Sequence, residues 1–223
     1  MFAKAPLPGL VKTRMTPPLS AELAAELYAA LLDDVLEETA AAARALGLEP
    51  VLAVHPPETV RMLAARAPAV FRVIAQRGSD LGARMSHAVA EAAAGGFDPI
   101  ILRGSDSPAL TASTLREAVD RLARADLVVC PDADGGYNLV GLHHPVSGLF
   151  SHTMSVSSAL DEMLQRATDR GLRVERLKPG FDLDTASDLA WLASARTRGD
   201  ALPCPRTLTF LDENGLWRHA RAR

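Results

Sequence analysis

The sequence has few aromatic residues, few cysteines and no excess of positive charge. Aromatic residues make up 4% of the 223 residues, so the core has to be built mainly from Leu, Val, Ile and Ala. Two cysteines are too few for a disulfide framework, and Cys130, in the apolar run 127–130, is predicted to be an inert core residue. The net charge is -3 and there is no basic tract, so the sequence lacks the concentrated positive charge that is typical of nucleic-acid-binding proteins.

Long apolar runs are also missing. No stretch reaches membrane length, and Met1-Phe2-Ala3 is followed at once by Lys4 and two prolines rather than by the apolar region of a signal peptide. We therefore expect a cytoplasmic protein with no membrane partner. Hydrophobic residues make up 48% of the chain, enough for a sizeable core in one α/β domain.

The segments alternate between strand-like and helix-like patterns, which predicts a three-layer α/β/α sandwich around a mixed, mostly parallel sheet. The segment 137–142 is predicted to be a reversed strand. The predicted strands are 1–3, 50–55, 71–75, 99–103, 127–130, 137–142 and 172–177. The predicted helices, with their capping residues, are 20–46, 58–67, 81–94, 111–124, 156–170 and 185–196. One domain is expected over 1–197, followed by a polar, irregular tail over 198–223.

Ligands of open α/β sheets bind beyond the carboxyl ends of the strands, so the strand-to-helix loops are the candidate sites. The first loop carries Lys4, Lys12 and Arg14 and is stiffened by Pro8 and Gly9. A polyphosphate needs such concentrated, fixed positive charge. The loop matches neither the P-loop nor the dinucleotide fingerprint, and a solvated basic loop is the alternative.

A glycine-bearing turn leads into the helix that begins near Leu81. Such a turn at a helix N-terminus suits contact with a ribose, a base or a phosphate. The alternative is that Ser79 or Asp80 only caps the helix.

The loop Gly104-Ser105-Asp106-Ser107-Pro108 directly follows an apolar strand. A carboxylate at a strand end is a natural first ligand for Mg²⁺, which uses one or two carboxylates and fills its other positions with water and phosphate. An Asx-turn before the next helix is the alternative interpretation of Asp106.

Two further segments carry paired aspartates. In Phe181-Asp182-Leu183-Asp184-Thr185 the alternation predicts that only one of the two carboxylates faces a shared site. The turn 132–137 offers two carboxylates and two glycines, where a second substrate could approach the backbone closely.

Taken together, these motifs resemble the bacterial DUF2064 group, which is labelled glycosyltransferase-like and associated with radical-SAM or arsenosugar pathways. That group is similar to the 2-phospholactate guanylyltransferases and, more distantly, to the molybdenum-cofactor guanylyltransferases. The motifs occur in matching order at 2–6, 8–14, 80–85, 104–108, 134–142 and 182–189. The resemblance covers the chain from Phe2 to about Leu192.

The resemblance implies the GT-A, or nucleotide-diphospho-sugar transferase, fold. It implies that Lys12, Arg14 and Asp106 are catalytic and that Asp106 and Asp184 bind Mg²⁺. The residues assigned to the nucleotide or the acceptor are Lys4, Pro8, Gly9, Asp80, Leu81, Ser105, Asp134, Gly135, Gly136 and Tyr137. The chain departs from its relatives in a short first strand, in Ala83 where they often carry an acidic residue, and in Met15 where they often carry Leu.

The predicted function is Mg²⁺-dependent transfer from a nucleotide donor to a small-molecule acceptor. Nucleotidyl transfer is favoured because Lys4, Lys12 and Arg14 bring more charge than a diphosphate requires. Glycosyl transfer from a nucleotide sugar is one alternative, and a nucleotide-binding regulatory module without turnover is another.

Overall fold

A computed structural model describes residues 1–200 and 202–220 of the chain. This part of the chain contains seven strands and seven α-helices, which alternate except at one pair of consecutive strands and at the last two helices. The strands are β1 (Phe2–Lys4), β2 (Val51–His55), β3 (Arg72–Ala75), β4 (Ile100–Arg103), β5 (Leu127–Pro131), β6 (Tyr137–Leu142) and β7 (Val174–Arg176). The helices are α1 (Ala21–Leu46), α2 (Val60–Arg66), α3 (Leu81–Ala94), α4 (Ala112–Leu122), α5 (Ala159–Thr168), α6 (Leu189–Arg198) and α7 (Pro205–Glu213). Short 3₁₀ helices lie at Thr13–Met15, Pro57–Thr59, Ala186–Asp188 and Leu216–His219.

The strands form two hydrogen-bonded sheets. The first has the order β1-β2-β3 and is parallel throughout. The second has the order β4-β6-β5-β7, in which β6 runs antiparallel to both of its neighbours and β7 runs parallel to β5. The predicted reversed strand is thus confirmed, whereas the predicted single sheet is divided in two. At the end of β1 the Lys4 N–H donates to the hydroxyl of Tyr28, and that hydroxyl donates to the Lys4 carbonyl. These backbone groups therefore bond to α1 and not to another strand.

Helices cover both faces of the second sheet. On one face Leu127 and Val129 of β5 pack with α3 and α5. On the other face Val128 and Cys130 pack with α4 and the end of α1. A strand that is buried on both faces needs apolar residues at every position, which explains the continuous run 127–130. The three-layer α/β/α architecture and the core position of Cys130 are therefore confirmed.

Helix α1 begins and ends where the sequence predicts. The Ser20 hydroxyl accepts a hydrogen bond from the Leu23 N–H at 3.1 Å, which satisfies one free donor of the first turn. Gly47 ends the helix in the left-handed region with φ 67°, a conformation that glycine adopts without steric cost. The buried face of α1 packs against the first sheet and brings Tyr28 under the strand ends.

The segment after Arg198 is not the irregular tail that its polar sequence predicts. It contains α7, which packs against α1 and contributes Leu211 to the core. The buried carboxylate of Asp34, on α1, accepts hydrogen bonds from the N–H groups of Arg206 and Thr207 at 3.1 and 2.8 Å. Because the capping group comes from a distant element, the only local start signal is Pro205 at the first helical position, with no capping side chain beside it. The residues 201 and 221–223 of the predicted tail lie outside the described residues.

Candidate active site

The ends of the strands of both sheets surround an open cavity of about 510 Å³. Its lining comes mainly from the carboxyl ends of β1, β2, β3, β4 and β5 and from the loops that follow them. The segment before α6 adds Asp182 and Asp184. The cavity therefore lies where open α/β sheets bind their ligands.

Lys12, Asp106 and Asp184 form the charged centre of the cavity. The Lys12 ammonium donates to Oδ1 of Asp106 and, at 3.1 Å, to Oδ1 of Asp184. Arg14 donates to the other oxygen of Asp184 at 3.3 Å. The Lys12 side chain is 3% exposed, whereas those of Asp106 and Asp184 are 38% and 37% exposed. The carboxylates can thus meet a ligand from solvent while the ammonium is enclosed.

The protonation of Lys12 is maintained by its partners. Burial by itself lowers the pKa of Lys12, but the charges of Asp106 and Asp184 outweigh it and raise that pKa above its usual value. Lys12 is therefore a fixed cation across the neutral range. Its backbone has φ 50°, in the left-handed region that residues with side chains seldom adopt, and the turn Thr13–Met15 follows directly.

Tyr28 supports this centre from α1. Its ring lies 5.3 Å from the Lys12 ammonium, and its hydroxyl is 2.8 Å from the hydroxyl of Ser105. Burial, followed by the charge of Asp106, raises the pKa of Tyr28 to about 12, so the phenol stays neutral. The buried hydroxyl connects β1, α1 and the loop after β4. Sequence reasoning missed Tyr28, because at its position on α1 it reads as an ordinary core residue.

The loops that carry the two exposed carboxylates are bonded to each other. The Leu183 N–H donates to the carbonyl of Asp106 at 2.9 Å, and the Ser107 hydroxyl donates to the carbonyl of Phe181 at 2.8 Å. The Asp188 carboxylate accepts the N–H groups of Asp184 and Thr185 and so caps the following turn. These bonds bring Asp106 and Asp184 together although 77 residues separate them in sequence.

Further carboxylates line the side of the cavity beyond Asp106. Burial, with Asp106 next, raises the pKa of Asp182 well above its usual value, and burial, with Asp134 next, raises that of Asp132 to about 6. Asp132 accepts the N–H of Asp182 at 2.9 Å. The expectation that only one aspartate of 182–184 faces the site is wrong. The segment is irregular rather than a strand, so both side chains line the cavity.

Basic side chains line the side of the cavity next to the first sheet. Lys4 ends β1, His55 ends β2 and Arg84 lies in the first turn of α3. Burial lowers the pKa of His55, and the charges of Arg84 and Lys4 lower it further. The sequence pointed to Arg84 only as one residue of the motif 80–85, and it did not single out His55. The cavity is thus basic over the first sheet and acidic over the second.

Most of the predicted site residues line this cavity, but four do not. Those that line it are Lys4, Lys12, Arg14, Leu81, Ser105, Asp106, Asp134, Gly136, Tyr137 and Asp184. Pro8 and Gly9 are exposed at the outer turn of their loop. The Asp80 carboxylate is engaged as the N-cap of α3, accepting the Ala83 N–H at 2.8 Å. At Gly135 a Cβ would lie 2.2 Å from the carbonyl oxygen of Ser157, so this glycine serves loop packing instead.

Asp106 and Asp184 are the side chains that could hold a metal ion. Both present a carboxylate oxygen to the Lys12 ammonium, so their oxygens converge on one cation. Within residues 1–200 and 202–220, no group of three or more His, Cys, Asp or Glu side chains is arranged to hold a metal. A two-carboxylate set suits a hard cation that completes its shell with water and phosphate oxygens.

Across the described part of the chain, none of the helices has both the length and the apolar character needed to cross a membrane.

A family profile with the description "Uncharacterized protein conserved in bacteria (DUF2064)" matches residues 38–158, more than half of the chain. The predicted family is therefore confirmed.

The chain is also similar to a curated enzyme and to solved structures. It is 29% identical over 182 residues to a 2-phospho-L-lactate guanylyltransferase of Methanothermobacter thermautotrophicus, covering 80% of this chain and 76% of the relative. A proposed nucleotide-diphospho-sugar transferase of Desulfovibrio desulfuricans G20 superimposes with a TM-score of 0.85 at 28% identity, covering 98% of this chain and 95% of that one. A 4-diphosphocytidyl-2C-methyl-D-erythritol synthase of Anaerococcus prevotii shares the fold, with a TM-score of 0.54 at 8% identity over 75% of this chain and 89% of that one. The GT-A fold is confirmed.

Proposed function

The chain belongs to the DUF2064 family, and on that premise we propose that it catalyses Mg²⁺-dependent transfer of a nucleotidyl group from a nucleoside triphosphate to a small acceptor. The chain is a transferase, since the similar proteins are a guanylyltransferase and a proposed nucleotide-diphospho-sugar transferase. The guanylyltransferase is named for 2-phospho-L-lactate. A small acceptor that carries a phosphate is accordingly the class that we propose.

The observation that carries the proposal is the pair of hydrogen bonds from the Lys12 ammonium to Asp106 and Asp184. Arg14 donates to Asp184 beside them. In nucleotidyl transfer an acceptor oxygen bonds to the α-phosphorus while the bond from that phosphorus to departing pyrophosphate breaks. The leaving group gains negative charge, and fixed cations stabilise it. Lys12 and Arg14 supply such charges. An acceptor phosphate is largely ionised at neutral pH, so its attacking oxygen needs no base.

We propose Asp106 and Asp184 as the protein ligands of Mg²⁺. Their oxygens already converge on one cation, the ammonium of Lys12. When bound, Mg²⁺ supplies charge neutralisation at the phosphate oxygens. With a metal at Asp106 and Asp184, these carboxylates would no longer need Lys12 as their counterion, and its ammonium would be free to donate to the phosphates.

Glycosyl transfer from a nucleotide sugar is the second candidate. It is favoured by the likeness to the proposed nucleotide-diphospho-sugar transferase, which extends over almost the whole chain. The same centre would then hold the diphosphate of the departing nucleotide. We favour nucleotidyl transfer because Lys4, Lys12 and Arg14 all line the cavity, more cations than a diphosphate with its metal requires.

A thermal-shift screen tests the nucleotide site. Nucleoside triphosphates and nucleotide sugars are each added to the purified protein with and without Mg²⁺, and the unfolding midpoint is recorded. A ligand that binds the folded protein raises that midpoint by mass action. We expect the largest rise with a triphosphate and Mg²⁺ together. If neither donor class raises the unfolding midpoint, the proposal is contradicted. If a donor binds but no acceptor gives turnover, a regulatory module is supported instead.

A further inference from the structure

Apart from Lys12 and Arg14, the cavity holds two further cations, Lys4 and Arg84, with the imidazole of His55 beside them. Lys4 and His55 are register partners across the parallel strands β1 and β2, so their Cα atoms are neighbours and both residues end their strands. Arg84 faces the same cavity from α3. The influence of both Arg84 and Lys4 on the pKa of His55 agrees with this proximity. We call Lys4, His55 and Arg84 the basic cluster.

No ion pair of the described residues engages the basic cluster, although Glu58 is near enough to raise the pKa of His55 in part. Across residues 1–200 and 202–220, no carboxylate lies within 4.0 Å of a charged nitrogen of Lys4, His55 or Arg84. The nearby carboxylate of Asp80 is engaged in capping α3. Lys12 and Arg14, by contrast, are already paired with carboxylates.

Arg84 also leaves a hydrogen-bond donor unused. Its Nε is buried and has no partner in the described part of the chain. A buried donor without an acceptor is costly, and proteins rarely keep one unless a ligand or water completes it. Other parts of the Arg84 side chain line the cavity, where its guanidinium can meet an acceptor atom of a bound molecule.

The geometry points to a phosphate-binding subsite formed by Lys4, His55 and Arg84. The guanidinium of Arg84 offers a planar set of donors, the ammonium of Lys4 a point charge, and the neutral imidazole of His55 one N–H donor. The opposite side of the cavity carries Asp106 and Asp132, whose carboxylates repel an unshielded anion. A phosphate therefore binds at the basic cluster without a metal.

This subsite extends the proposed function. Its assignment to the donor or to the acceptor rests on that function. The bound phosphate belongs either to the polyphosphate of the donor or to a phosphorylated acceptor. Both present the same tetrahedral anion to the basic cluster, so separate arms of one experiment have to distinguish them.

The direct test is calorimetric titration of inorganic tripolyphosphate in the presence of a metal chelator. The parent should bind it, and Arg84→Gln should bind roughly ten- to a hundredfold more weakly, the usual effect of losing one charge-assisted hydrogen bond. Arg84→Lys should retain part of the affinity. The matched control is Arg61→Gln, at an exposed arginine of α2 outside the cavity, which should bind like the parent. Lys4→Gln, at an exposed residue, repeats the test should Arg84→Gln unfold.

The two sources are separated with a nucleoside triphosphate in one arm and 2-phospholactate in the other. The subsite belongs to whichever ligand loses affinity in Arg84→Gln. No binding of tripolyphosphate by the parent, or equal binding by the parent and Arg84→Gln, would overturn the subsite even if nucleotidyl transfer is observed. A parent that binds tripolyphosphate through Arg84 but transfers nothing would overturn the proposed function alone.

Discussion

At the scale of single residues, the enclosed ammonium of Lys12 competes with any metal for Asp106 and Asp184. The two carboxylates share one internal positive charge, and each is more than a third exposed. A divalent ion that binds them has to displace this charge or share the carboxylates with it. The phosphates of a nucleotide offer the displaced ammonium a new partner, so metal and nucleotide should bind cooperatively.

Replacing Lys12 should therefore strengthen the binding of Mg²⁺ alone. In Lys12→Met Asp106 loses its counterion and Asp184 keeps only the exposed Arg14, so the two carboxylates repel each other more and a divalent cation relieves this repulsion. We expect the affinity for Mg²⁺ without nucleotide to rise by about tenfold, roughly 1.4 kcal/mol, measured by calorimetry. Lys178→Met, at an exposed lysine, is the control. An affinity equal to that of the parent would contradict the competition.

Replacing Asp106 should remove the metal dependence of nucleotide binding without unfolding the protein. Asp106→Asn keeps the shape of the side chain but removes the charge that a metal requires, and the side chain is 38% exposed. The measurement is the difference in triphosphate affinity with and without Mg²⁺. That difference should vanish in Asp106→Asn and persist in Asp120→Asn, at an exposed residue of α4. An unchanged difference would remove Asp106 from the metal site.

The sequence predicted the residues of the site that lie at strand ends better than those that lie elsewhere. Asp106 could be placed because it directly follows an apolar strand. Tyr28 could not, because its role depends on how α1 crosses the strand ends. Both Asp182 and Asp184 line the cavity because the chain there is irregular, a feature that the alternation of residues does not encode.

At the scale of elements, α7 is part of the domain core. Leu211 and Leu216 are completely buried, and the helix packs on α1. Its first turn is capped by Asp34, whose carboxylate also accepts the hydroxyl of Thr207 at 2.8 Å. A helix held in this way contributes to the stability of the whole domain.

Shortening Leu211 should destabilise the protein. Leu211→Ala removes buried methyl groups and leaves a cavity, which costs about 2–5 kcal/mol of the free energy of unfolding. The matched control is Leu10→Ala, because Leu10 is 54% exposed and its loss should cost no more than about 0.5 kcal/mol. Urea denaturation measures both. Equal losses for the two variants would show that α7 does not belong to the cooperative core.

The ends of the other helices were predicted well where the sequence carries clear capping residues and poorly where it does not. Helix α1 has a capping serine and a terminal glycine, and its bounds were predicted correctly. Helix α5 is predicted over 156–170 but extends over Ala159–Thr168, and it has no side-chain cap. The predicted helix after Thr185 begins as a 3₁₀ turn, in which Asp188 bonds back to Thr185 in a capping box.

At the scale of the whole molecule, the two sheets give the cavity two chemically different sides. One side carries Lys4 and His55 from the first sheet and Arg84 from α3, and the other carries the carboxylates that include Asp106. Lys12 and Arg14 lie beside Asp184 at the charged centre. This arrangement suits a polyphosphate that extends from the basic side towards a metal at the carboxylates.

The central claim is that the group transferred is a nucleotidyl group, and the identity of the leaving group tests it most directly. The purified protein is incubated with Mg²⁺, 2-phospholactate or a related phosphorylated acceptor, and either each nucleoside triphosphate or a panel of nucleotide sugars. Phosphorus NMR then identifies the released product. We predict pyrophosphate from a nucleoside triphosphate, and none from the Asp106→Asn variant. Release of a nucleoside diphosphate from a nucleotide sugar, with no pyrophosphate from any triphosphate, would contradict the account.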